Sequence, residues 1–402
     1  MRVCVISNKE CWREPATGEW VSYGGFPAQM SGIAALFEEM DLLIVEGRVR
    51  PGGVALPAKA RVVAMPSPAG ADGARKLSVL RHLYSYVSLM ARHIRAADVV
   101  HTPLPGDLPL LGLYTAAALG KRLVARYGGS WAANAETTFM NRVTRTSMRW
   151  LARAGRRNVM LATGLGAEAP APGMEWIFST ALSAAELAGI QPDLARPLAR
   201  PAHLVYAGRL SSEKGVHVLI EAAALLKERG FAPAPRITIL GGGGERAALE
   251  AQARARGVDG WIEFAGQVDR GELSRRLLAA DLCVQPSLTE GFSKAWLDAM
   301  AHGVPVLASR VGAAADVIGA DRGWVIEPGN ASLLADTLAG VLTCPDTARA
   351  WPALRARCRA HVETLTLESW SRRIGELCAA RWQCRRESGG RLTGSAAPVK
   401  SH

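Results

Sequence analysis

The chain reads as an α/β protein built from two doubly wound parallel-sheet domains with a cleft between them, and three observations carry that reading. Short apolar runs of buried-strand length alternate with helical segments twice, once before Pro170 and again from His203 onwards. A proline-rich stretch from Pro170 to Pro201, with little periodicity after Phe178, separates the two series as a linker would. A length of 402 residues suits two or three domains with sizeable cores. Hydrophobic residues at 49% with 21% charged residues exclude a disordered chain. No apolar run approaches the length needed to span a bilayer. The opening MRVCVIS turns polar too early for a signal peptide and is expected to be a first strand.

In the first series, Arg2 to Ser7 is a strand, Asn8 to Tyr23 a polar loop, and Gly24-Gly25 the entry to a helix from Phe26 to Glu39. Leu42 to Val45, Val62 to Met65, Val99 to Thr102 and Leu123 to Ala125 follow as buried strands. Lys76 to Arg95 and Leu108 to Leu119 are the helices between them. No Gly-x-Gly-x-x-Gly follows the first strand, so a dinucleotide-binding reading fails there. The segment 136–157 is a basic amphipathic helix. Arg142, Arg145, Arg149, Arg153 and Arg156 step by three or four onto one face, beside an apolar stripe of Met140, Val143, Trp150, Leu151 and Ala154. Such a helix packs on a core with a solvated cationic face, or lies against an anionic membrane surface or acidic acceptor.

The second series runs strand His203–Ala207, helix Val216–Arg229, strand Arg236–Leu240, a glycine turn Gly241–Gly244 and helix Glu245–Arg256. Strand Ile262–Ala265 and helix Gly271–Ala279 precede the stretch Gln285–Arg310, QPSLTEGFSKAWLDAMAHGVPVLASR. That stretch reads as a strand stopped by Pro286, a loop carrying Glu290-Gly291, a helix with Ala295, Trp296, Ala299 and Met300 on its apolar face, a stop at Gly303, and a second strand from Val304 to Ala308. Strand Gly323–Ile326, helix Ser332–Leu342 and helical segments from Thr347 to Arg381 complete it. Beyond Arg385 a Ser/Gly/basic tail without periodicity is expected to be disordered. The domains are accordingly drawn as 1–185, 186–365, a terminal helix 366–385, and a tail 386–402.

Ligands of open parallel sheets bind at the carboxyl ends of the strands, where loop and helix N–H groups also suit anions. Glu290 occupies that position, and Asp298 lies two helical turns further along, so both carboxylates can serve one ligand. Arg209 and Lys214, in GRLSSEKG after the strand ending at Ala207, flank a short loop before a helix and would neutralise a diphosphate. Gly241 and Gly242 let backbone approach a ligand closely. Seven scattered cysteines without a Cys-x-x-Cys pair fit reduced thiols in the cytoplasm. A net charge of +12 suggests anionic partners. With 6% aromatic residues and no interleaved nucleic-acid module, nucleic acid is not among them.

GRLSSEKG, the glycine turn, FAGQV at Phe264–Val268 and PSLTEGFSKAWLDAMAHGVPVLAS occur in the order and spacing of glycosyltransferase family 4. Over Val205–Ile326 the chain resembles these retaining, nucleotide-sugar-dependent enzymes of GT-B fold, and before Pro170 only the strand–helix rhythm agrees. The resemblance implies two Rossmann-like domains facing each other across a cleft, with the last helix, near Trp370, returning to the first. It implies that Arg209 and Lys214 hold the donor diphosphate. Glu290 would contact the sugar hydroxyls, Gly291, Phe292 and Ser293 would line sugar and phosphate, and Asp298 would bind the ribose. Gly208, Gly241, Gly242 and Gln267 would complete the donor site, and Gly24 and Gly25 would lie on the acceptor side.

The chain departs from that pattern in three places. Asp298 stands where the family has glutamate. His101 is followed by Pro103 where many members place a second, reaction-centre histidine, leaving His101 as the catalytic candidate or a packed core residue. Tyr127-Gly128-Gly129-Ser130-Trp131 replaces a glycine-histidine pair. No Asp-x-Asp occurs, so transfer without a metal or other cofactor is expected, with the two cations stabilising the leaving diphosphate. Retention with no evident nucleophile implies same-face attack, the leaving phosphate oxygen taking the acceptor's proton. The expected co-substrate is a UDP-, GDP- or ADP-linked hexose.

The segment Lys121–Arg157 has nine Lys/Arg against one acid, which favours an anionic or lipid-linked acceptor in envelope polysaccharide or glycolipid assembly. The protein would then sit in the cytoplasm, with peripheral contact at the inner membrane face through 136–157. Lys9, Arg13 and Arg126 are further acceptor-side candidates. The rival readings are a nucleotide-sugar binding subunit or a related GT-B enzyme without transferase activity, which donor hydrolysis or epimer formation without transfer would reveal.

Overall fold

Two series of parallel strands organise the chain in the computed structural model, which describes residues 1–50, 52–70, 72–131, 138–155 and 157–395. The chain divides into two compact units, Met1–Ala181 with Leu367–His402, and Leu182–Thr366. Among the described residues, no helix is long and apolar enough to cross a membrane. All seven cysteines are unpaired.

In the first unit the elements run β1 (Arg2–Arg13), β2 (Trp20–Ser22), α1 (Phe26–Ala35), β3 (Glu39–Glu46), β4 (Val54–Ala55), β5 (Ala60–Met65), α2 (Asp72–Arg81) and α3 (Leu83–Ala96). They continue with β6 (Val99–Leu104), α4 (Asp107–Ala118), β7 (Arg122–Tyr127), α5 (Phe139–Ala154), β8 (Asn158–Thr163) and β9 (Met174–Ile177). The parallel strands lie in the order β5-β3-β1-β6-β7-β8-β9, and β2 and β4 add antiparallel strands beyond the far half of β1. Apolar side chains at alternate positions, such as Cys4, Ile6, Leu43, Val100, Leu123 and Ala125, form one core with Met90 and Ile94 of α3, Leu108 and Leu113 of α4 and Met148 of α5.

The second unit contains α6 (Ala184–Gly189), β10 (His203–Ala207), α7 (Val216–Glu228), β11 (Arg236–Leu240), α8 (Arg246–Ala255), β12 (Ile262–Gly266) and α9 (Arg270–Ala279). After these come β13 (Leu282–Gln285), α10 (Lys294–Ala301), β14 (Val306–Ser309), α11 (Ala314–Ile318), β15 (Gly323–Ile326), α12 (Ala331–Thr343) and α13 (Pro345–Glu363). Its six strands are parallel in the order β12-β11-β10-β13-β14-β15. The order therefore reverses between β10 and β13, which makes their carboxyl ends the topological switch point of this sheet. Leu204, Tyr206, Ile237, Ile239, Leu282, Val284 and Leu307 meet α7 and α12 in its core.

The chain then returns to the first unit through α14 (Leu367–Trp382) and a hairpin of β16 (Cys384–Arg386) and β17 (Leu392–Ser395). Trp370 of α14 is fully buried, and Ser371 donates a hydrogen bond of 2.6 Å to the Gly32 carbonyl of α1. Gly32 is what allows this approach, since a Cβ there would sit 3.2 Å from the Trp370 ring.

Several expectations are corrected. Asn8 to Arg13 is not loop but the second half of β1, because Trp12 pairs with Val21 across a hairpin. The helix expected to reach Glu39 stops at Ala35, and Glu39 already belongs to β3. The linker holds β9 as an edge strand of the first sheet and α6 with a Ser183–Glu186 capping box. The tail expected to be disordered from residue 386 is ordered through Ser395: Arg386 pairs with Leu392, and buried Leu392 donates its N–H to the Leu36 carbonyl. Residues 396–402 lie outside the described part. Helix α5 is rotated from the expected face: Arg145 is buried and donates to the Trp131 carbonyl at 2.9 Å, while Trp150 is exposed. Glu136 and Arg156 lie outside the described residues.

Candidate active site

The carboxyl-end loops of the second sheet are stitched into one surface by their own backbone. Gly208 N–H donates to the Leu240 carbonyl, Leu210 to Gly242, and Gly241 to Gly266, which joins the loops after β10, β11 and β12. Leu288 N–H donates to Glu213, and Ala313 to Gly291, which brings in the loops after β13 and β14. Two glycines make the approach possible. Gly241 has φ +140°, and a Cβ there would fall on the Gly208 carbonyl oxygen. Gly312 has φ +53°, and its Cβ would meet the carbonyl oxygens of Glu290 and Gly291. Nothing local in the sequence marks Gly312 for this role.

On this surface the switch point brings Lys214 and Glu290 together. A single 3-10 turn, Ser212–Lys214, follows β10, and the Lys214 ammonium donates to Glu290 Oε2 at 2.5 Å. Both side chains are 16% exposed. The second oxygen of Glu290 accepts the N–H of Gly291 at 3.0 Å, so the carboxylate is held at the loop that opens α10. Arg209 is 76% exposed and lies 3.5 Å from Glu213, leaving its guanidinium free to turn towards a ligand. Its carbonyl is fixed from below by the Tyr206 hydroxyl, 2.7 Å away. Burial first, and then the charge of Glu290, pushes that phenol well above its ordinary range, so it stays a donor.

Helices α7 and α10 both start at this rim without a side-chain cap and without an acid in the first turn. Their N-terminal N–H groups and positive dipole ends therefore suit an anion. Buried Phe292 packs against Trp296, with ring centroids 5.9 Å apart, and anchors the loop while Ser293 stands half-buried at the helix start. Gln267 is exposed beside Gly242.

Asp298 has a partner that sequence reading missed. Arg270, at the start of α9, donates to Asp298 Oδ1 at 2.8 Å and lies 3.6 Å from Glu186. Burial lowers the guanidinium's affinity for its proton, and Asp298 with Glu186 together outweigh it, so the balance is raised. Only the pairing of α9 with α10 puts these residues together, so no spacing in the sequence signals it.

In the first unit His101 is 1% exposed, and its Nδ1 lies 2.9 Å from the Val124 carbonyl. Burial, with the nearby charge of Arg126, lowers its pKa to about 3. It is an enclosed imidazole whose Nε2 has no hydrogen-bond partner among the described residues. Arg126 is also buried, donating to Gln29 at 2.8 Å with its guanidinium over the Trp370 ring. Gln29 in turn donates to Ser179 and Thr180, which makes Arg126 a clamp between β7, α1 and α14. Gly24 sits in the turn before α1, and Gly25 is its N-cap. Arg13 stacks on Trp20 at 4.9 Å and donates to the Gly18 carbonyl, which ties down the β1–β2 hairpin.

Residues 196–356 match the family described as glycosyl transferases group 1. A glycogen synthase of Mycobacterium tuberculosis is 37% identical over 172 residues, 42% of this chain and 40% of that protein. A D-inositol 3-phosphate glycosyltransferase of Arthrobacter is 36% identical over 36% of this chain and 35% of that protein. The chain thus spans about two fifths of the length of the curated relatives it matches. Among solved structures, sucrose-phosphate synthase from Thermosynechococcus elongatus has a TM-score of 0.67 at 19% identity, covering 94% of this chain and 98% of that one. Anabaena HepE in complex with UDP and glucose has a TM-score of 0.61 at 16% identity, covering 94% and 99%. At these identities the structures establish a shared GT-B fold.

Proposed function

We propose that this chain, whose residues 196–356 match the glycosyl transferases group 1 family, moves a hexose from a nucleoside-diphosphate sugar to an acceptor hydroxyl with retention and without a metal. The observation that carries the reading is the pairing of Lys214 with Glu290 at the switch point, between two uncapped helix N-termini. A donor entering there exchanges that pair for its own groups. Lys214 and Arg209 take the diphosphate, helped by the N–H groups of α7 and α10, and Glu290 takes the sugar hydroxyls. Asp298 reaches the ribose once Arg270 yields or shares it. Fixed cations stabilise the leaving diphosphate throughout, and its oxygen accepts the acceptor's proton as the new glycosidic bond forms on the same face. Names among the relatives, such as the putative colanic acid biosynthesis glycosyltransferase WcaL of Escherichia coli, support an envelope polysaccharide or glycolipid product.

The test is a thermal-shift screen with UDP, GDP, ADP and their hexose conjugates in EDTA, beginning with UDP because the HepE complex holds it. Ligand at about a hundred times its dissociation constant adds roughly 2.7 kcal/mol of stability. A shift with one base that disappears in Arg209→Ala or Lys214→Ala supports the reading. No shift with any nucleotide, or activity restored only by manganese, sinks it in part or whole. Donor hydrolysis without transfer would favour a binding subunit or related enzyme instead.

A membrane-surface acceptor is favoured by α5. Phe139 and Trp150 are 66% and 64% exposed, beside exposed Arg142, Arg149 and Arg153. Aromatic side chains among cations suit the interface of an anionic bilayer. Co-sedimentation with vesicles that does not rise with anionic lipid content would remove this part of the proposal.

A further inference from the structure

The first unit contains a cavity of about 370 Å³ lined by residues of the far half of β1 and its neighbours. Its position follows from a bulge. Pairing between β1 and β3 shifts register between Ile6 and Glu10, and the Ser7 hydroxyl accepts the Lys9 N–H at 3.1 Å. Bulges of this kind re-aim side chains, and here Asn8 and Lys9 line the cavity. It opens just past the stretch where β1 pairs with β6, on the carboxyl-end side of the parallel sheet, where open parallel sheets take their ligands.

The lining is cationic and aromatic at once. Three cations, Lys9, Arg50 and Arg75, face one acid, Glu10. Arg50 is neutralised by Glu10 at 2.9 Å, and Arg75 bonds Asp107 through Nε at 3.1 Å. Lys9 is half-buried and makes no ion pair among the described residues. A cation left unpaired in a partly desolvated cavity is attractive to an anion. The rings of Trp12 and Tyr23 lie 4.7 Å apart, and both line the cavity. The Trp12 indole N–H is buried without a hydrogen-bond partner.

We infer that this cavity is the acceptor subsite and that it selects a sugar bearing a negative charge, a hexose phosphate or a uronate, an inference that rests on the glycosyl-transfer reading above. Lys9 and the remaining nitrogens of Arg75 take the phosphate or carboxylate. Asn8 takes ring hydroxyls, and the aromatic pair covers the apolar face of the ring.

The test is equilibrium binding by calorimetry to the whole 402-residue chain of glucose 6-phosphate, glucuronate, glucose and inorganic phosphate, with UDP, GDP and ADP titrated separately. Both charged sugars should bind at least tenfold more tightly than glucose, and inorganic phosphate alone should bind less tightly than glucose 6-phosphate. Lys9→Gln should abolish the gap between charged and uncharged sugars while leaving UDP affinity within twofold. Arg75→Gln should narrow the gap, with both variants melting like the wild type. Equal affinity for charged and uncharged sugars, or a gap that survives Lys9→Gln, overturns the inference while UDP binding still supports the donor site. Competition between UDP and the charged sugars also overturns it, since the cavity would then hold donor. Absence of binding by UDP, GDP and ADP alike in the wild type strikes the glycosyl-transfer reading itself, and the cavity's sugar selectivity is then judged from the same titrations.

Discussion

Lys214 and Glu290, 76 positions apart in sequence, meet at 2.5 Å across the switch point of the second sheet. Each would otherwise be a partly buried, unpaired charge. Removing either one therefore harms both the loop and the proposed donor site. Lys214→Ala and Glu290→Gln should each lower kcat/KM by a hundredfold or more, about 3 kcal/mol of transition-state stabilisation. Steady-state kinetics with the nucleotide sugar found in the thermal screen checks this. A loss of tenfold or less in both would show that the pair is structural.

Asp298 and Arg270 lead to a separable prediction. If Asp298 reads the ribose, the wild type should prefer its nucleoside diphosphate over the 2′-deoxy analogue by about tenfold, and Asp298→Ala should erase that preference. Arg270→Ala frees the carboxylate and should keep the preference. Calorimetric titration of the two nucleotides decides it, and an unchanged ratio in Asp298→Ala would remove the ribose role.

Gly241 lies where a side chain has no room, next to the Gly208 carbonyl at φ +140°. Gly241→Ala should cost about 3 kcal/mol or more, or force the rim loops apart. Gly244, three residues on, has open space where a Cβ would stand, with nothing within 4 Å, so Gly244→Ala should stay within about 0.5 kcal/mol. Urea unfolding of both variants compares them directly.

Asp41 provides a pH signature for the first unit. It is buried, and it accepts from Arg61 at 2.6 Å and Arg2 at 2.9 Å, with His93 Nδ1 at 2.7 Å. Burial pushes its carboxyl up, but the combined hydrogen bonds from Arg61, His93 and Arg2 outweigh burial and hold it down at about 2, from an ordinary value of 3.8. A depressed carboxylate contributes stability that is complete above its unfolded pKa and is lost as pH falls through the folded one. Roughly 2 kcal/mol should therefore disappear between about pH 4 and pH 2, and Asp41→Asn should lose a similar amount at neutral pH while flattening that acid limb. Unfolding curves from pH 6 to pH 2 test the sign, and an equally steep limb in Asp41→Asn would refute it.

Much of the second unit was legible because its signals are local. Apolar runs bounded by glycine and proline mark β10, β11, β13 and β14, and the acid-glycine loop at Glu290 sits directly after one of them. The long β1 was not legible, since Asn8–Arg13 is polar and becomes strand only by pairing with Val21 and Trp20. The hairpin at Cys384–Ser395 escaped for the same reason: its composition is that of a tail, and it is ordered by pairing with itself and by Leu392 bonding Leu36.

Helix α5 shows how far a periodic pattern reaches. Its arginine spacing establishes that a helix exists and that it is amphipathic, but not which arginine faces inward. The Trp131 carbonyl took Arg145 into the interior and left Trp150 outside.

Two α/β series, their order, and the residue types waiting at the strand ends are written locally in the chain, because hydrophobic period and turn chemistry act over a few residues. Which groups meet was left to long-range packing: Lys214 with Glu290, Arg270 with Asp298, and Arg126 over the Trp370 ring. Those choices depend on strand order and helix rotation, which are settled by burial summed over the whole unit rather than by any stretch of chain.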